Sequence, residues 1–260
     1  MTDHSSGGET TVSRFGWGAV TDIGKLRERN EDAFVVEVEA GLFLVVDGMG
    51  GHRGGGLAAR MVAQDLPPMI ENGLDALKSR HPRVVRALLK AAIVEQSGQL
   101  LREGDSESGC AGMGATLALL LISDGRAYVA NVGDSRVYRL RRGRLARLSV
   151  DHSVVSELLE AGQITPEEAT GHSSQGIVTQ YMGMPEQVEP LVRSTALNPG
   201  DRFLLCTDGL TDLASDAAIT AVLKAETDPQ IACDRLVDAA NRAGGADNIT
   251  AVVVTWPEAS

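Results

Sequence analysis

The chain has 260 residues, and 35 aspartates and glutamates against 24 lysines and arginines give it a formal net charge of −11. Hydrophobic residues make up 43% and charged residues 23%, which indicates a folded globular protein and excludes an intrinsically disordered one. The acidic balance argues against a nucleic-acid partner, which would need a basic surface. We expect no membrane association, because no apolar run approaches ~20 residues and the polar residues 1–11 do not resemble a signal peptide.

The cysteines are few and scattered. Cys110, Cys206 and Cys233 form no CxxC pair and are odd in number. This usage favours a reducing compartment, so we expect a cytoplasmic protein without a disulfide framework or a structural zinc site. Cys206 falls in an apolar run and Cys233 in a helical pattern, and neither position is typical of a catalytic nucleophile.

The first half of the chain predicts strands, then helices, then strands again. We expect residues 1–12 to form a flexible tail and residues 13–256 to form one domain, because no linker or repeat interrupts them. Helical periodicity marks 57–70, where Pro67 and Pro68 should disturb the helix end, and about 82–102. Runs rich in Val, Leu and Phe predict strands at 15–21, 33–38, 42–46, 115–122, 127–132 and 135–140, the last three as an antiparallel meander.

The second half of the chain continues with helices and strands. A helix is predicted at 154–161, and Thr165 followed by Pro166 and Glu168 predicts the start of another. A strand at 203–206, two helices between 215 and 242, and a strand at 249–256 complete the pattern. Because strands and helices do not alternate as in a parallel sheet, we predict an α+β fold with antiparallel sheets.

Acidic residues stand at the ends of three predicted strands. Asp47 follows the strand at 42–46, Asp208 follows the strand at 203–206, and Asp247 precedes the last strand. If the last strand runs antiparallel to the other two, the three carboxylates lie at one sheet edge. The Gly133-Asp134 turn offers a fourth carboxylate, and Glu31 and Asp32 offer two more.

Such a cluster favours divalent cations. Carboxylates in one place repel each other unless cations lie among them, and Mg²⁺ or Mn²⁺ prefer oxygen ligands of this kind. A single Asp-Gly pair most often marks a turn, but the shared position of these pairs favours metal binding. Two such ions could activate water and polarise a phosphoryl oxygen, and Arg27 is a candidate to hold the phosphate, although taken singly it fits a surface residue.

Six motifs occur in order, and together they identify a family. They are GKLRERNED at 24–32, VDGMGGH at 46–52, GMGAT at 112–116, NVGDSR at 131–136, CTDGL at 206–210 and ADNIT at 246–250. Over roughly residues 14–255 the chain resembles the bacterial branch of the metal-dependent protein Ser/Thr phosphatases, the protein phosphatase 2C-like (PPM) family. The resemblance implies two packed antiparallel sheets flanked by helices, with the site at one edge.

The resemblance also implies residue roles. Arg27 would bind the substrate phosphate, and two Mn²⁺ or Mg²⁺ ions would activate the water that attacks phosphoserine or phosphothreonine. Asp47 would bridge the ions, Gly48 would contribute its carbonyl, and Asp208 and Asp247 would complete the ligands. Asp134 would bind a third, weaker ion, while Glu31 and Asp32 would act through bound water. The implied partners are phosphorylated proteins and a Ser/Thr kinase that the enzyme opposes in bacterial signalling, and we expect a monomer.

Some positions leave alternatives open. Residues 151–176 match the mobile flap of bacterial members, but they read equally well as an ordinary pair of surface helices. Gln180 stands where the family usually carries Arg. Met49 replaces a His proposed as general acid in some animal members, and Met cannot donate a proton. His52 is then a weak candidate for leaving-group protonation, a metal-bound water is an equal one, and the favoured reading of His52 is a turn residue.

Three other functions compete with this interpretation. The first is a phosphoprotein-binding module with the same fold and no turnover, which often loses the metal-binding acids that are complete here. The second is a stress-pathway regulator acting on anti-anti-sigma-type proteins, a branch that generally lacks the phosphate-binding Arg and the flap. The third is a metal-dependent phosphodiesterase, which a diester substrate would distinguish.

Overall fold

The computed structural model describes residues 15–106 and 110–258, and the tail expected at 1–12 lies outside them. Two antiparallel sheets flanked by helices make up the described chain, which confirms the predicted fold class. The strands are β1 (Gly16–Asp22), β2 (Asp32–Glu37), β3 (Leu42–Met49), β4 (Gly114–Ala115), β5 (Leu117–Ser123), β6 (Arg126–Val132), β7 (Arg136–Arg141), β8 (Arg144–Arg147), β9 (Leu191–Ala196), β10 (Arg202–Cys206) and β11 (Ile249–Thr255). The helices are α1 (Gly51–Ala76), α2 (Pro82–Ser106), α3 (Val154–Glu160), α4 (Pro166–Ala169), α5 (Asp208–Thr211), α6 (Asp216–Ala225) and α7 (Pro229–Arg242).

The strands divide between a five-stranded and a six-stranded sheet. The first has the order β1-β11-β10-β7-β8, and the second has the order β2-β3-β5-β6-β9 with β4 paired to β3. β11 lies antiparallel between β1 and β10, so the last strand of the chain joins its beginning to β10. This central position brings residues from distant parts of the sequence to the same end of the first sheet.

Three apolar layers hold the sandwich together. One lies between the two sheets, where Phe43, Leu120, Phe203 and Val252 are buried. The second lies between the six-stranded sheet and helices α1 and α2, and the third between the five-stranded sheet and helices α6 and α7. Leu, Val, Ile and Ala fill most of these layers, as the low aromatic content of 3% requires.

Helix α1 continues through both prolines, so the predicted end near residue 70 was wrong. Pro67 and Pro68 remove two backbone donors, whose acceptors four residues earlier would be Ala63 and the exposed Gln64. The opposite face of the helix is fully buried at Val62, Leu66 and Ile70 and packs against the six-stranded sheet. Tertiary packing along this face therefore outweighs the local loss of hydrogen bonds.

The predicted three-stranded meander was also wrong at its third strand. β5 and β6 pair as expected, but β7 pairs with β10 and β8 in the other sheet. The chain changes sheets at the turn of residues 133–135, where Gly133 adopts a φ of 89°. A Cβ at residue 133 would lie 2.7 Å from the Thr116 side chain, so glycine fits both the backbone conformation and the space.

The remaining differences concern weakly patterned strands. β8 and β9 were not predicted, because β8 is bounded by Arg144 and Arg147 and β9 is buried on neither face. The helix predicted at 154–161 is confirmed as α3, and Thr165 forms the predicted capping box with Glu168 at the start of α4. Within the described residues, no helix is long and apolar enough to span a membrane.

Candidate active site

The predicted acidic residues meet at one end of the sandwich, in a cleft of about 560 Å³. The expectation of a single sheet edge was wrong, because Asp47 lies in β3 of one sheet while Asp208 and Asp247 flank β10 and β11 of the other. The two sheets therefore supply opposite walls. Seven of the eight predicted site residues line the cleft: Arg27, Glu31, Asp47, Gly48, Asp134, Asp208 and Asp247.

Asp47 and Asp208 form the half-buried centre of the cleft. Burial raises the pKa of Asp47 well above its ordinary value, and the neighbouring Asp208 raises it further. Burial likewise raises the pKa of Asp208 to about 6, and the charges of Asp212 and Asp247 add to the effect. The carboxylates of Asp208, Asp32 and Asp134 all face Asp47, and their repulsion adds to the burial that keeps its pKa high.

Asp32 lies beneath this pair and is held by two threonines. Its Oδ2 accepts hydrogen bonds from the hydroxyl groups of Thr207 at 2.9 Å and Thr250 at 2.7 Å. Burial nevertheless raises the pKa of Asp32 to about 7, because the two hydroxyl groups offset only part of the lost hydration. Thr207 adjoins Asp208 and Thr250 follows Asp247 by three residues, yet no local pattern in the sequence predicted a role for either threonine.

Asp134 enters the cleft from the turn where the chain changes sheets. Burial raises its pKa to about 7, and the carboxylates of Asp208 and Asp151 add to the effect. The turn is fixed to β3 through Thr116, whose hydroxyl group hydrogen-bonds to that of Ser135 at 2.6 Å and accepts from the Asp47 N–H at 3.2 Å. Thr116 is thus a supporting residue that the sequence analysis recorded within a structural motif.

Glu31 and Gly48 meet over helix α1. A Cβ placed on Gly55 would lie 2.6 Å from the Gly48 carbonyl oxygen and 2.8 Å from Glu31 Oε2. The two oxygens therefore approach one point, and glycine at position 55 leaves that space open. A Cβ on Gly48 would in turn lie 2.1 Å from the Gly55 carbonyl oxygen, so both glycines are required by close backbone approach.

Arg27 lies at the mouth of the cleft. Its Nη2 donates to Asp247 Oδ2 at 2.6 Å, while Asp247 Oδ1 accepts from the backbone N–H of Asn248 at 2.8 Å. The Arg27 side chain remains 52% exposed, so its guanidinium group has donors available to an incoming ligand. This geometry places a fixed positive charge directly beside the acidic centre.

The donor set fits divalent cations. Two buried carboxylate oxygens, Asp208 Oδ1 and Asp32 Oδ1, have no hydrogen-bond partner. Among the described side chains, no group of three or more acidic, His or Cys residues closes around a single point, although Asp208, Asp32 and Asp134 all act on the pKa of Asp47. A cation would stabilise unpartnered buried oxygens beside carboxyl groups of raised pKa, since it favours the charged form of each acid.

Residues around the cleft include parts of the expected flap and Met49. Gly176 and Val178, at the end of the expected flap, line one wall, and Met49 lines another. The His52 side chain lies outside the described part of the structure, so its role stays a prediction.

Burial raises the pKa of Cys206 and of Cys233 to about 12, which keeps both thiols protonated and argues against a thiolate nucleophile.

Comparisons with known proteins agree with this geometry. The family model described as protein phosphatase 2C matches residues 26–239. Protein phosphatase PhpP of Streptococcus pneumoniae is 35% identical over 243 residues, which cover 92% of this chain and 96% of that protein. The crystal structure of the Mycobacterium tuberculosis serine/threonine phosphatase PstP/Ppp is 33% identical and covers 94% of this chain and 99% of that chain, with a TM-score of 0.80.

A further solved structure contains metal. It is the catalytic domain of the serine/threonine protein phosphatase PstP in complex with 2 manganese ions, and it is 32% identical to this chain. The match covers 94% of this chain and 99% of that chain, with a TM-score of 0.77. The family match and the near-complete coverage confirm the resemblance found in the sequence. The chain therefore belongs to the protein phosphatase 2C family of serine/threonine protein phosphatases.

Proposed function

We propose that this chain removes phosphate from phosphoserine and phosphothreonine in proteins, using two divalent cations held in the acidic cleft. The observation that carries this proposal is the burial of Asp47 and Asp208 against each other beside the Arg27–Asp247 pair. A site built only for stability would not bury several carboxyl groups together, because each loses hydration and repels the others.

Each predicted residue has a distinct role in this proposal. Asp47 bridges the two cations, the Gly48 carbonyl binds one of them, and Asp208 and Asp247 complete the ligands. Asp134 binds a third, weaker ion, and Glu31 and Asp32 act through bound water. The pair of cations supplies Lewis-acid activation of water and charge neutralisation at the phosphoryl group when bound, and both Mn²⁺ and Mg²⁺ suit these oxygen ligands.

Arg27 binds the substrate phosphate. Its guanidinium group is half-exposed, always charged and already oriented towards the cleft by Asp247. Two phosphoryl oxygens match the planar donors of the guanidinium group, so Arg27 orients the phosphate and offsets charge that grows during transfer. Asp32 accepts from Thr207 and Thr250 through Oδ2, and its buried Oδ1 has no hydrogen-bond partner, which suits a water molecule bound at that atom.

The wider setting follows from the same chemistry. We infer that the enzyme is a cytoplasmic monomer that opposes a Ser/Thr protein kinase in bacterial signalling, with phosphorylated proteins as substrates and no nucleic-acid or membrane partner. Residues 13–256 form one catalytic domain. Residues 151–176 act as a flap, which is supported by their position beside the cleft and by the lack of buried residues in α3 and α4.

Phosphate release from a phosphothreonine peptide tests the proposal. We expect turnover with Mn²⁺, none with EDTA, and none with the Asp208→Asn variant in the presence of Mn²⁺. A wild-type protein that binds Mn²⁺ and the peptide without turnover would instead be a phosphoprotein-binding module. Hydrolysis of bis(p-nitrophenyl) phosphate in preference to the peptide would identify a phosphodiesterase.

A further inference from the structure

Asn248 makes an unusual set of contacts next to the proposed metal ligands. Its side chain is buried, and its amide group bonds at three points to residues 23–31, which we call the Arg27 loop. Asn248 Oδ1 accepts from the Glu31 N–H at 2.8 Å, and Nδ2 donates to the carbonyl groups of Ile23 at 3.0 Å and Arg29 at 2.9 Å. One side chain thus ties both ends of the loop to the start of β11.

The Arg27 loop also contacts residues 245–248 directly. Lys25 N–H donates to the Gly245 carbonyl at 2.7 Å, and a Cβ on Gly24 would lie 2.1 Å from the Asp247 carbonyl oxygen. The loop therefore rests directly on residues 245–248. Because the Arg27 side chain is 52% exposed, packing alone does not fix it, and its place depends on its ion pair with Asp247 and on the backbone that carries it.

The Asn248 side chain bonds to the Arg27 loop, whereas the bond from Asn248 to Asp247 comes from the backbone. The bond from the Asn248 backbone N–H to Asp247 Oδ1 does not involve the side chain, so it survives replacement of the amide. Removal of the amide would leave the Ile23 and Arg29 carbonyl groups and the Glu31 N–H without these bonds, which frees the loop to move. We therefore expect that loss of the Asn248 amide displaces Arg27 and leaves Asp247 in place.

We propose that Asn248 is a positioning residue that fixes the Arg27 loop, and through it the guanidinium group that receives the substrate phosphate. The inference rests on the proposed function, in which Arg27 binds that phosphate. It goes further in naming the side chain that sets the position of Arg27 relative to Asp247. A shift of about 1 Å in such a group lowers catalytic efficiency by up to about 100-fold.

A double-mutant cycle tests this role. Asn248→Ala, Arg27→Ala and the double variant are assayed with Mn²⁺ and a phosphothreonine peptide, with inorganic phosphate as the competing ligand. We expect each single variant to lower kcat/KM and phosphate affinity by about 10- to 100-fold, and the double variant to match Arg27→Ala within about twofold. Mn²⁺ affinity, measured by calorimetry, should stay within about threefold of the parent in Asn248→Ala.

Gln230→Ala is the matched control. The Gln230 amide also makes three hydrogen bonds, to the Ala19 N–H, the Ala19 carbonyl and Asp234, but it fixes the middle of β1 rather than the Arg27 loop. Its kcat/KM should equal that of the parent. Hydrogen–deuterium exchange of residues 23–31 should rise at least about tenfold in Asn248→Ala and stay unchanged in Gln230→Ala.

The outcomes separate the inference from the proposed function. Losses that multiply in the double variant, while Arg27→Ala is strongly impaired, would refute the positioning role and leave phosphate binding by Arg27 intact. Parental kinetics in Arg27→Ala would refute both. Unchanged exchange in the Arg27 loop would overturn the inference whatever the kinetics. If Asn248→Ala does not fold, Asn248→Ser, which keeps one hydrogen-bonding group, is expected to give the same pattern with smaller losses.

Discussion

The two ends of strand β3 carry acidic clefts of similar composition and opposite character. At the end near Asp47, the carboxyl groups are half-buried and face each other in the cleft of about 560 Å³, and burial raises the pKa of Asp47. At the end near Gly41, a second cleft of about 340 Å³ is lined by the half-buried Glu71 and by Glu39, Asp75 and Asp124, which are exposed. Arg80 approaches Asp75 there at 3.9 Å, with both side chains in solvent.

The difference shows that burial, and not the number of acids, distinguishes the proposed metal site. Carboxylates in solvent keep their hydration and tolerate each other at little cost. Asp47 and Asp208 have lost that hydration, and their pKa values are raised as a result. A divalent cation relieves this cost at the first cleft, whereas at the second it would have little to relieve.

The largest expected effect comes from neutralising Asp47, the carboxylate proposed to bridge the two cations. Asp47→Asn should lower turnover on a phosphothreonine peptide by at least about 10³-fold, because both cations lose a shared ligand and the phosphoryl charge is no longer neutralised. Asp124→Asn in the exposed cleft is the control, and its turnover should stay within about twofold of the parent. Full Mn²⁺-dependent turnover in Asp47→Asn would refute the metal assignment.

Each cleft also contains an arginine, Arg27 in the first and Arg80 in the second, and the effects of replacing them can be compared. Arg27→Ala should reduce kcat/KM by about 100-fold, and Arg27→Lys should recover only part of the loss, because Lys cannot bind two phosphoryl oxygens in one plane. Arg80→Ala, in the exposed cleft, should match the parent. Equal losses in Arg27→Ala and Arg80→Ala would point to a general effect of charge rather than to a phosphate site.

Stability should respond to pH at the buried cleft. The pKa of Asp208 is about 6 in the folded protein, above its ordinary 3.8, so the metal-stripped fold gains stability from protonation below pH ~4 and loses it as the pH rises through 6. Urea unfolding in EDTA should show that the parent loses about 1–2 kcal/mol more than Asp208→Asn between pH 5 and pH 8.

The exposed cleft again provides the control for this measurement. Asp124→Asn should follow the parent at both pH values, since Asp124 lies in solvent. Addition of Mn²⁺ at pH 8 should restore stability in the parent and fail to do so in Asp208→Asn. Identical pH dependence in the parent and in Asp208→Asn would contradict the electrostatic account.

The smallest effect is expected at Gln180, outside both clefts. Gln180 Oε1 accepts from the Glu189 N–H at 2.8 Å, so it supports a neighbouring loop, while Gly176 and Val178 supply the cleft wall in this segment. Gln180→Arg, which restores the usual family residue, should change kcat/KM by less than about threefold. A change above tenfold in peptide assays would assign this position a role in substrate binding.

The sequence predicted which acidic residues meet in the cleft better than it predicted how the strands around the cleft are connected. Asp-Gly pairs after apolar runs located Asp47 and Asp208, because a carboxylate at the end of a buried strand is forced to the edge of the core. The sheet switch at Gly133 was not predictable, because a Gly-Asp turn reads the same whether the next strand joins the same sheet or the facing one. Register between distant strands depends on packing that local patterns do not encode.

The residues that hydrogen-bond to the site residues were not predicted, for a related reason. Thr116, Thr207, Thr250 and Asn248 stand within the motifs, but their hydrogen bonds join segments that are far apart in the sequence. The available signal is that a polar residue near a candidate ligand in the sequence is itself a candidate hydrogen-bond partner for the site. Helix α1 makes the opposite point, since Pro67 gave a clear local signal that burial of Leu66 and Ile70 overrode.

Equilibrium Mn²⁺ binding, measured by calorimetry at pH 7.5, tests most directly whether the buried cleft is a cation site. The account predicts about two tightly bound ions in the parent and in Asp124→Asn, as in the related PstP structure with 2 manganese ions, and loss of both in Asp47→Asn. Equal binding in Asp47→Asn and the parent, or loss of binding in Asp124→Asn, would contradict it.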